Sequence, residues 1–199
     1  MSHTITYHFT LNSPWSYLGD ARLAEIASRH GATVIHKPTN FGIVFPETGG
    51  LPLPKRAPAR QAYRMQELER WPAHLNIPLI KQPEFFPSNE RAGVGMVIAA
   101  INEGLNVGPL VNGILTALWA ENRNIGDEAT LLAIAGERGF DGQRLMDAGR
   151  AEEIEAQWVQ NSQDALATGV FGAPSYVLGT QIFWGQDRLE FLDRALAAA

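Results

Sequence analysis

The sequence of 199 residues contains no cysteine. This absence excludes disulfide bonds, zinc–thiolate sites, a cysteine nucleophile and redox chemistry by a Cys-x-x-Cys pair. The five histidines have neither the spacing of metal ligands nor a visible nucleophile as partner. We therefore expect neither thiol redox activity of the chain itself nor a metal site.

Positive charge and long apolar runs are also scarce. Sixteen Lys and Arg residues against 21 Asp and Glu residues give a formal net charge of −5, which provides no basic surface for nucleic acid or an anionic membrane. No stretch of about 18 apolar residues predicts a membrane span. The N-terminal residues lack the basic start and the apolar run of a signal peptide. We expect a cytoplasmic protein with no nucleic-acid or membrane partner.

The sequence begins with a β-α-β pattern. Residues 4–10 (TITYHFT) alternate in β-branched and aromatic types, which predicts a strand. Ser13 is a good N-cap and Pro14 suits the first helical position, so a helix should follow and stop at Gly31. Residues 32–36 (ATVIH) predict a second strand, parallel to the first because such crossovers are right-handed.

The centre of the chain is predicted to be helical. Residues 40–58 are rich in glycine and proline and predict a long loop, of a length that is usually functional. The helices that follow are expected near residues 58–71, 90–103, 109–122, 127–138 and 150–168.

The strand pattern returns near the C-terminus. Two short apolar runs, SYVL and QIFW, flank Gly179-Thr180 and predict a β-hairpin. A last helix should start within residues 185–187, with Leu189, Leu192 and Leu196 on its apolar face.

Two serines mark the turn between the first strand and the first helix. Residues 13–16 (SPWS) stand where thioredoxin-like oxidoreductases carry Cys-x-x-Cys. Together with residues 170–175 (VFGAPS), residues 183–189 (FWGQDRL), Arg70-Trp71 and residues 77–79 (IPL), this segment resembles the 2-hydroxychromene-2-carboxylate isomerases and the related kappa-class glutathione transferases. The resemblance spans the whole chain in consistent order.

The resemblance implies an α/β fold of the DsbA-like thioredoxin type, with a βαβ…ββα sheet and a large all-helical insertion. Residues 1–45 and 169–199 would form a thioredoxin-like, glutathione-binding domain, and residues 46–168 a loop and helical insertion subdomain. Members of this family are commonly dimeric and use glutathione as a cofactor. We therefore expect a homodimer that binds glutathione.

The resemblance also implies a site. Ser13 is the predicted catalytic residue: its hydroxyl would donate a hydrogen bond to the glutathione sulfur, while the helix N-terminus favours thiolate over thiol. The alternative is that Ser13 only caps the helix. The residues predicted to bind glutathione are Ser13, Ala173, Pro174, Gln186, Asp187, Asn40 and Lys55.

Each of these binding residues has a structural alternative. Pro174 is implied to be cis, which would expose the backbone of Ala173 to glutathione, but it could be an ordinary trans proline at a strand start. Gln186 and Asp187 are implied at the γ-glutamyl end, although Asp187 could only cap the last helix. Asn40, at the end of the second strand, is equally compatible with turn chemistry.

Two loop cations are candidates for a carboxylate of glutathione or of the substrate. Lys55 and Arg56 both lie in the long predicted loop. A charge in a loop is more often simply solvated, which is the alternative.

The implied reaction interconverts 2-hydroxychromene-2-carboxylate and trans-o-hydroxybenzylidenepyruvate, a step in the catabolism of naphthalene-type aromatics. Addition of the glutathione thiolate to the double bond of the small aromatic keto acid makes that bond single and allows rotation. A kappa-like glutathione transferase acting on another electrophile is one alternative, which product analysis would distinguish. A non-catalytic DsbA-like binding module is another, which a lack of glutathione binding would favour.

Overall fold

The computed structural model describes residues 3–198 and contains a four-stranded mixed sheet. The strands are β1 (Thr4–Phe9), β2 (Thr33–Pro38), β3 (Ser175–Leu178) and β4 (Gln181–Trp184), and their order in the sheet is β2-β1-β3-β4. β1 pairs in parallel with β2 and antiparallel with β3, and β3 pairs antiparallel with β4. The predicted βαβ unit and β-hairpin therefore share one sheet.

Nine α-helices accompany this sheet among the described residues. They are α1 (Pro14–His30), α2 (Phe41–Thr48), α3 (Pro58–Leu75), α4 (Arg91–Asn102), α5 (Gly108–Trp119), α6 (Glu128–Glu137), α7 (Gly142–Ala148), α8 (Glu152–Ala167) and α9 (Leu189–Ala198). Two short 3₁₀ turns cover Leu53–Lys55 and Gln186–Arg188.

Helix α1 has the bounds that its capping residues predict. Ser13 accepts a hydrogen bond from the backbone of the third helical residue, Pro14 occupies the first position, and Gly31 ends the helix with φ +60°. In the last turn, Arg29 and His30 both contact Asp193 of α9, at 2.8 and 2.6 Å. These ion pairs join α1 to the C-terminal helix.

Apolar side chains cover both faces of the sheet. Tyr7 and Tyr176 belong to the larger core cluster, which also contains residues of α1, α4 and α5. Val177 belongs to a smaller cluster with Phe41 of α2 and Ala165 of α8. Because successive strand residues point to opposite faces, the two clusters lie on opposite sides of the sheet.

The long loop predicted over residues 40–58 is wrong in its first half, which forms α2. Pro46 and the glycines favoured a loop, since both residue types are unfavourable inside helices. The structure shows what outweighs them: Asn40 caps the helix, and Phe41 and Val44 are buried one turn apart against the sheet.

Two other helical predictions need correction. The sequence analysis missed α7, a short helix capped by Asp141. Helix α3 was predicted to stop at residue 71 but continues to Leu75, with Pro72 buried inside it. Burial of an apolar face has outweighed the proline in this last turn.

Gly19 of α1 provides a test of this packing. A Cβ atom at Gly19 would lie 2.3 Å from the Tyr176 hydroxyl, which is fully buried. Gly19→Ala is therefore expected to lower the free energy of unfolding by about 1–2 kcal/mol, because overpacking exceeds the gain in helix propensity. The Tyr176→Phe substitution should restore stability in the double variant, since that hydroxyl has no partner.

Urea unfolding of Gly19→Ala, Tyr176→Phe and the double variant measures these changes in the free energy of unfolding. Gly136→Ala in α6 is the matched control, because a Cβ there meets nothing within 4 Å and should stabilise the protein by up to about 1 kcal/mol. Equal effects at Gly19 and Gly136 would contradict the close approach described here.

Candidate functional site

The four strands bring most of the predicted site residues to one edge of the sheet. In the observed register, the C-terminal ends of β1, β2 and β4 and the N-terminal end of β3 lie side by side. Ser13, Asn40 and Gln186 follow the first three of these ends, and Pro174 directly precedes the fourth. The structure thus assembles these residues although they are far apart in the sequence.

Ser13 is nearly buried, with 8% of its surface exposed. Its Oγ accepts a hydrogen bond from the Ser16 N–H at 3.1 Å, so the capping role is real. This role uses an oxygen lone pair and leaves the hydroxyl proton free to donate. The N–H of Trp15 has no hydrogen-bond partner among the described residues. Two donors are therefore available at the positive end of a 17-residue helix.

The backbone before β3 is also available for pairing. The Ala173-Pro174 peptide bond is cis, which excludes the alternative of an ordinary trans proline. The Pro174 carbonyl accepts a hydrogen bond from the Gly185 N–H at 2.8 Å. The N–H and C=O of half-buried Ala173 form no backbone hydrogen bond with any described residue.

Gln186 and Asp187 are adjacent in the chain but differ in environment. The Gln186 side chain is buried, and its Oε1 accepts a hydrogen bond from Arg22 at 2.7 Å. Asp187 is half-buried and accepts a hydrogen bond from Arg188 at 2.8 Å. The Gln186 side-chain oxygen is therefore occupied within the protein, while the Asp187 carboxylate faces the surface.

The side chain of Asn40 has a structural task. Its Oδ1 accepts a hydrogen bond from the Gly42 N–H at 2.9 Å and so caps α2. Its own N–H donates to Ser162 Oγ at 2.9 Å, which holds this turn against α8. The turn chemistry proposed as the alternative is present.

Lys55 does not reach the sheet edge through any contact of the described residues. It is exposed, at the end of a 3₁₀ turn. Its neighbour Arg56 is half-buried and donates a hydrogen bond to the Leu51 carbonyl at 2.8 Å. Of the two loop cations, Arg56 is therefore the one whose side chain is held by a contact with the chain.

Sequence reasoning missed a cluster of arginines that continues from Arg56. Burial lowers the pKa of Arg64 to about 10, with a further contribution from Arg56, and burial together with Arg60 lowers the pKa of Arg56. None of these three guanidinium groups pairs with a carboxylate among the described residues. Clustered cations without acidic partners are suited to an anionic ligand. Arg56, Arg60 and Arg64 follow one another at intervals of four residues, and this spacing is the feature of the sequence that could have revealed the cluster.

The arginine cluster lies beside the loop that borders Ser13. The Arg64 guanidinium stands 5.4 Å from the centre of the Phe86 ring. Two residues further on, Ser88 and Asn12 exchange two hydrogen bonds of 2.9 Å. Asn12 immediately precedes Ser13, so this loop connects the cluster to the strand edge.

A carboxylate fixes the turn that carries Ser13. Glu90 accepts hydrogen bonds from the Thr10 hydroxyl at 2.6 and 2.8 Å and from the Asn12 N–H at 3.1 Å. Burial raises the pKa of Glu90, and these hydrogen bonds oppose the rise. The turn is therefore held from the helical insertion.

A second buried carboxyl, Asp20, lies two turns along α1. It is 6% exposed and accepts one hydrogen bond, from Asn112 of α5, at 3.1 Å. Burial raises the pKa of Asp20 from 3.8 to about 7, opposed by the Asn112 hydrogen bond. The hydroxyls of Tyr7, Ser16 and Tyr176 are buried without a hydrogen bond of ordinary geometry.

Comparison with known proteins identifies the family to which this fold belongs. The profile of the DSBA-like thioredoxin domain family matches residues 4–197. The chain belongs to this family. Within the DSBA-like family, the chain is 28% identical over 198 residues to a 2-hydroxychromene-2-carboxylate isomerase of Sphingobium xenophagum, covering 98% of this chain and 99% of that one.

A second relative is the glutathione S-transferase kappa 1 of Caenorhabditis elegans, 22% identical, with 94% of this chain and 88% of the relative covered. Among solved structures, a 2-hydroxychromene-2-carboxylate isomerase superimposes with a TM-score of 0.84 at 24% identity, covering 98% of this chain and 95% of that one. The relatives of this DSBA-like chain thus include named isomerases and a transferase, and its fold is that of the superimposed structure.

Residues 3–198 contain neither a membrane-spanning helix nor a cluster of metal ligands. No helix within residues 3–198 has the length and hydropathy needed to span a bilayer. In the same part of the chain, no group of three or more His, Asp or Glu side chains is placed to hold a metal ion.

Proposed function

We propose that the protein is a glutathione-dependent cis/trans isomerase that interconverts 2-hydroxychromene-2-carboxylate and trans-o-hydroxybenzylidenepyruvate. The observation that carries this proposal is the pair of donors at the start of α1, the Ser13 hydroxyl and the Trp15 N–H, where two serines replace the redox cysteines. The names of the isomerase relatives support the reaction, and the transferase relative supports glutathione.

The residues present fit glutathione along its length. The Ser13 hydroxyl and the helix N-terminus would hold the sulfur as thiolate, because both stabilise negative charge. The free N–H and C=O of Ala173 would pair with the peptide backbone as an added strand, beside Pro174. The Asp187 carboxylate would take the γ-glutamyl ammonium, while Gln186 contributes through its backbone.

In the proposed mechanism, bound glutathione supplies a thiol whose reversible addition to the conjugated double bond permits rotation. Ser13 stabilises the negative charge on sulfur before and after the reaction. Arg64, supported by Arg56 and Arg60, holds the substrate carboxylate and so orients the double bond toward Ser13. Asn40 and Lys55 were predicted to bind glutathione; we propose that Asn40 shapes the edge by capping α2 and that Lys55 adds only long-range attraction.

The function is tested by binding and product analysis together. Millimolar glutathione should raise the melting temperature through mass action. With the keto-acid substrate, free glutathione should be recovered in full after turnover. Recovery of a glutathione conjugate would favour the kappa-like transferase, and an unchanged melting curve would favour a binding module without the cofactor.

Arg64 provides a test of the substrate carboxylate site. Arg64→Gln removes a charge-assisted contact worth about 1.5–3 kcal/mol, so KM for the keto acid should rise by about ten- to a hundredfold with kcat changed much less. Steady-state kinetics at saturating glutathione measure both constants. Arg70→Gln, an exposed position on the same helix, is the charge-matched control. An equal rise in KM in both variants would refute a specific role for Arg64.

A further inference from the structure

We propose that the protein has a second binding site, for a small molecule with an apolar body and a protonated amine. The site is a cavity of about 820 Å³ bounded by α1, β2 and the loop between α4 and α5. This volume is within the range of small-molecule sites. Nothing in the proposed isomerase reaction uses it.

The cavity is distinct from the Ser13 site. Its wall on α1 begins at Asp20, which follows Ser13 by seven residues or about 10 Å of helix. Its wall on β2 covers residues 33–36, the opposite end of the strand from Asn40. Neither Ser13 nor Pro174 lines it.

The charged side chains of the lining disfavour an anionic ligand such as the keto acid. Among the described residues that line the cavity, there is no lysine, arginine or glutamate. The only histidine is His36, whose pKa burial lowers to about 4, so that it is neutral at pH 7. Small and apolar side chains, among them Ala24, Ala27 and Val107, form much of the remaining surface. Asp20 is the single acid.

Asp20 has no cationic partner among residues 3–198. Its one hydrogen bond there comes from the neutral amide of Asn112. Arg22, two residues further along α1, donates to the Gln186 carbonyl and side chain at 3.1 and 2.7 Å instead. A buried carboxylate without a counter-charge is costly, and a ligand ammonium would supply both charge and hydrogen bonds.

Asp20 is also the group that sets the pH dependence. The titratable groups that interact electrostatically with Asp20 are Tyr7 from β1 and Tyr176 from β3, and His36 from β2 lines the same cavity. Tyr176 in turn interacts with Arg22 from α1 and with Asp187 from the segment after β4.

Among Tyr7, Tyr176, His36 and Asp20, only Asp20 changes charge between pH 6 and 8, because its pKa is about 7. Burial raises the pKa of both tyrosines and lowers that of His36 to about 4. Because an amine prefers the ionised carboxylate, its affinity should increase about tenfold from pH 6 to pH 8 as Asp20 ionises.

Calorimetric titration of the full chain with 2-phenylethylamine tests the proposal, with 2-phenylethanol and phenylacetate as the neutral and anionic counterparts. We expect the amine to bind at pH 8 at least tenfold more tightly than either counterpart. Asp20→Asn should remove this preference and its pH dependence while keeping the affinity for 2-phenylethanol. Glu25→Gln, an exposed acid on the same helix, should change nothing.

A second variant, Ala24→Phe, keeps the test decisive if Asp20→Asn does not fold. Ala24 is exposed and lines the cavity, so Ala24→Phe should fill the opening without disturbing the core and abolish binding of both the amine and the alcohol. Binding of the amine no tighter than phenylacetate, or unchanged in Asp20→Asn and Ala24→Phe, would overturn the proposal. Failure of all three probes to bind, with a dimer that dissociates in Ala24→Phe, would show that a second copy occupies the cavity and would overturn it too.

Discussion

Replacement of Ser13 by alanine is expected to lower isomerase activity at pH 7 by about ten- to a hundredfold. In the proposed role of Ser13, the substitution removes a hydrogen bond to the charged glutathione sulfur, worth about 1.5–3 kcal/mol, and 1.36 kcal/mol corresponds to a factor of ten in rate. It also raises the pKa of the bound thiol, so activity should recover partly as the pH increases and more thiolate forms unaided.

Ultraviolet titration of enzyme-bound glutathione measures the thiolate directly. Ser16→Ala is the matched control, since Ser16 lies one turn deeper and its buried hydroxyl makes no hydrogen bond of ordinary geometry with the described residues. If Ser13 served only as a cap, its loss would cost about 1 kcal/mol of stability and leave the pH profile unchanged. The same thiol titration in wild type and Ser13→Ala would therefore rule out the catalytic role.

Asp20→Asn is expected to stabilise the protein at neutral and alkaline pH. The pKa of Asp20 is about 7 in the fold against an ordinary 3.8, so the folded state binds more protons between these two values. The wild-type free energy of unfolding therefore falls as the pH rises from about 4 to 7. At 1.36 kcal/mol per pKa unit, the loss reaches at most about 4 kcal/mol above pH 7. Asparagine keeps the shape and the partner Asn112 without this loss.

Urea unfolding at pH 4, 6 and 8 tests whether the stability difference between Asp20→Asn and wild type increases with pH. The variant should match wild type at pH 4 and exceed its stability increasingly at pH 6 and 8. Glu25→Gln should show no such trend, because that side chain is exposed. A stability difference that is independent of pH would mean that the substitution acts through packing rather than through ionisation.

Local chemistry made much of the fold predictable from the sequence. Ser13 and Gly31 bound the first helix because capping depends only on neighbouring residues. The hairpin around Gly179 was predictable because the glycine adopts φ +60° in a two-residue turn. Helix α2 was not predictable in this way, since its stability comes from Val177 and Ala165, which are distant in the sequence.

The candidate site, too, contains residues that the sequence could predict and others that it could not. Ser13 and Pro174 were predicted because the resemblance to the isomerases implies them, and Ser13 is in addition recognisable in the sequence as the N-cap of α1. The direction of the Gln186 side chain could not be found, because it depends on Arg22, 164 positions away. The lack of a carboxylate partner for Arg64 among the described residues also depends on packing, which the sequence alone does not reveal.

The hydrogen bonds between the Ser13 turn and the loop before α4 have a consequence for how this protein can change over evolution. Thr10 and Asn12 lie in one segment, and Ser88 and Glu90 in another nearly 80 positions away, yet each pair shares its hydrogen bonds. A substitution on one side leaves a polar group of the other without its partner. We therefore expect substitutions in these two segments to be accepted together, and the helical insertion to vary more freely where it does not contact the Ser13 turn.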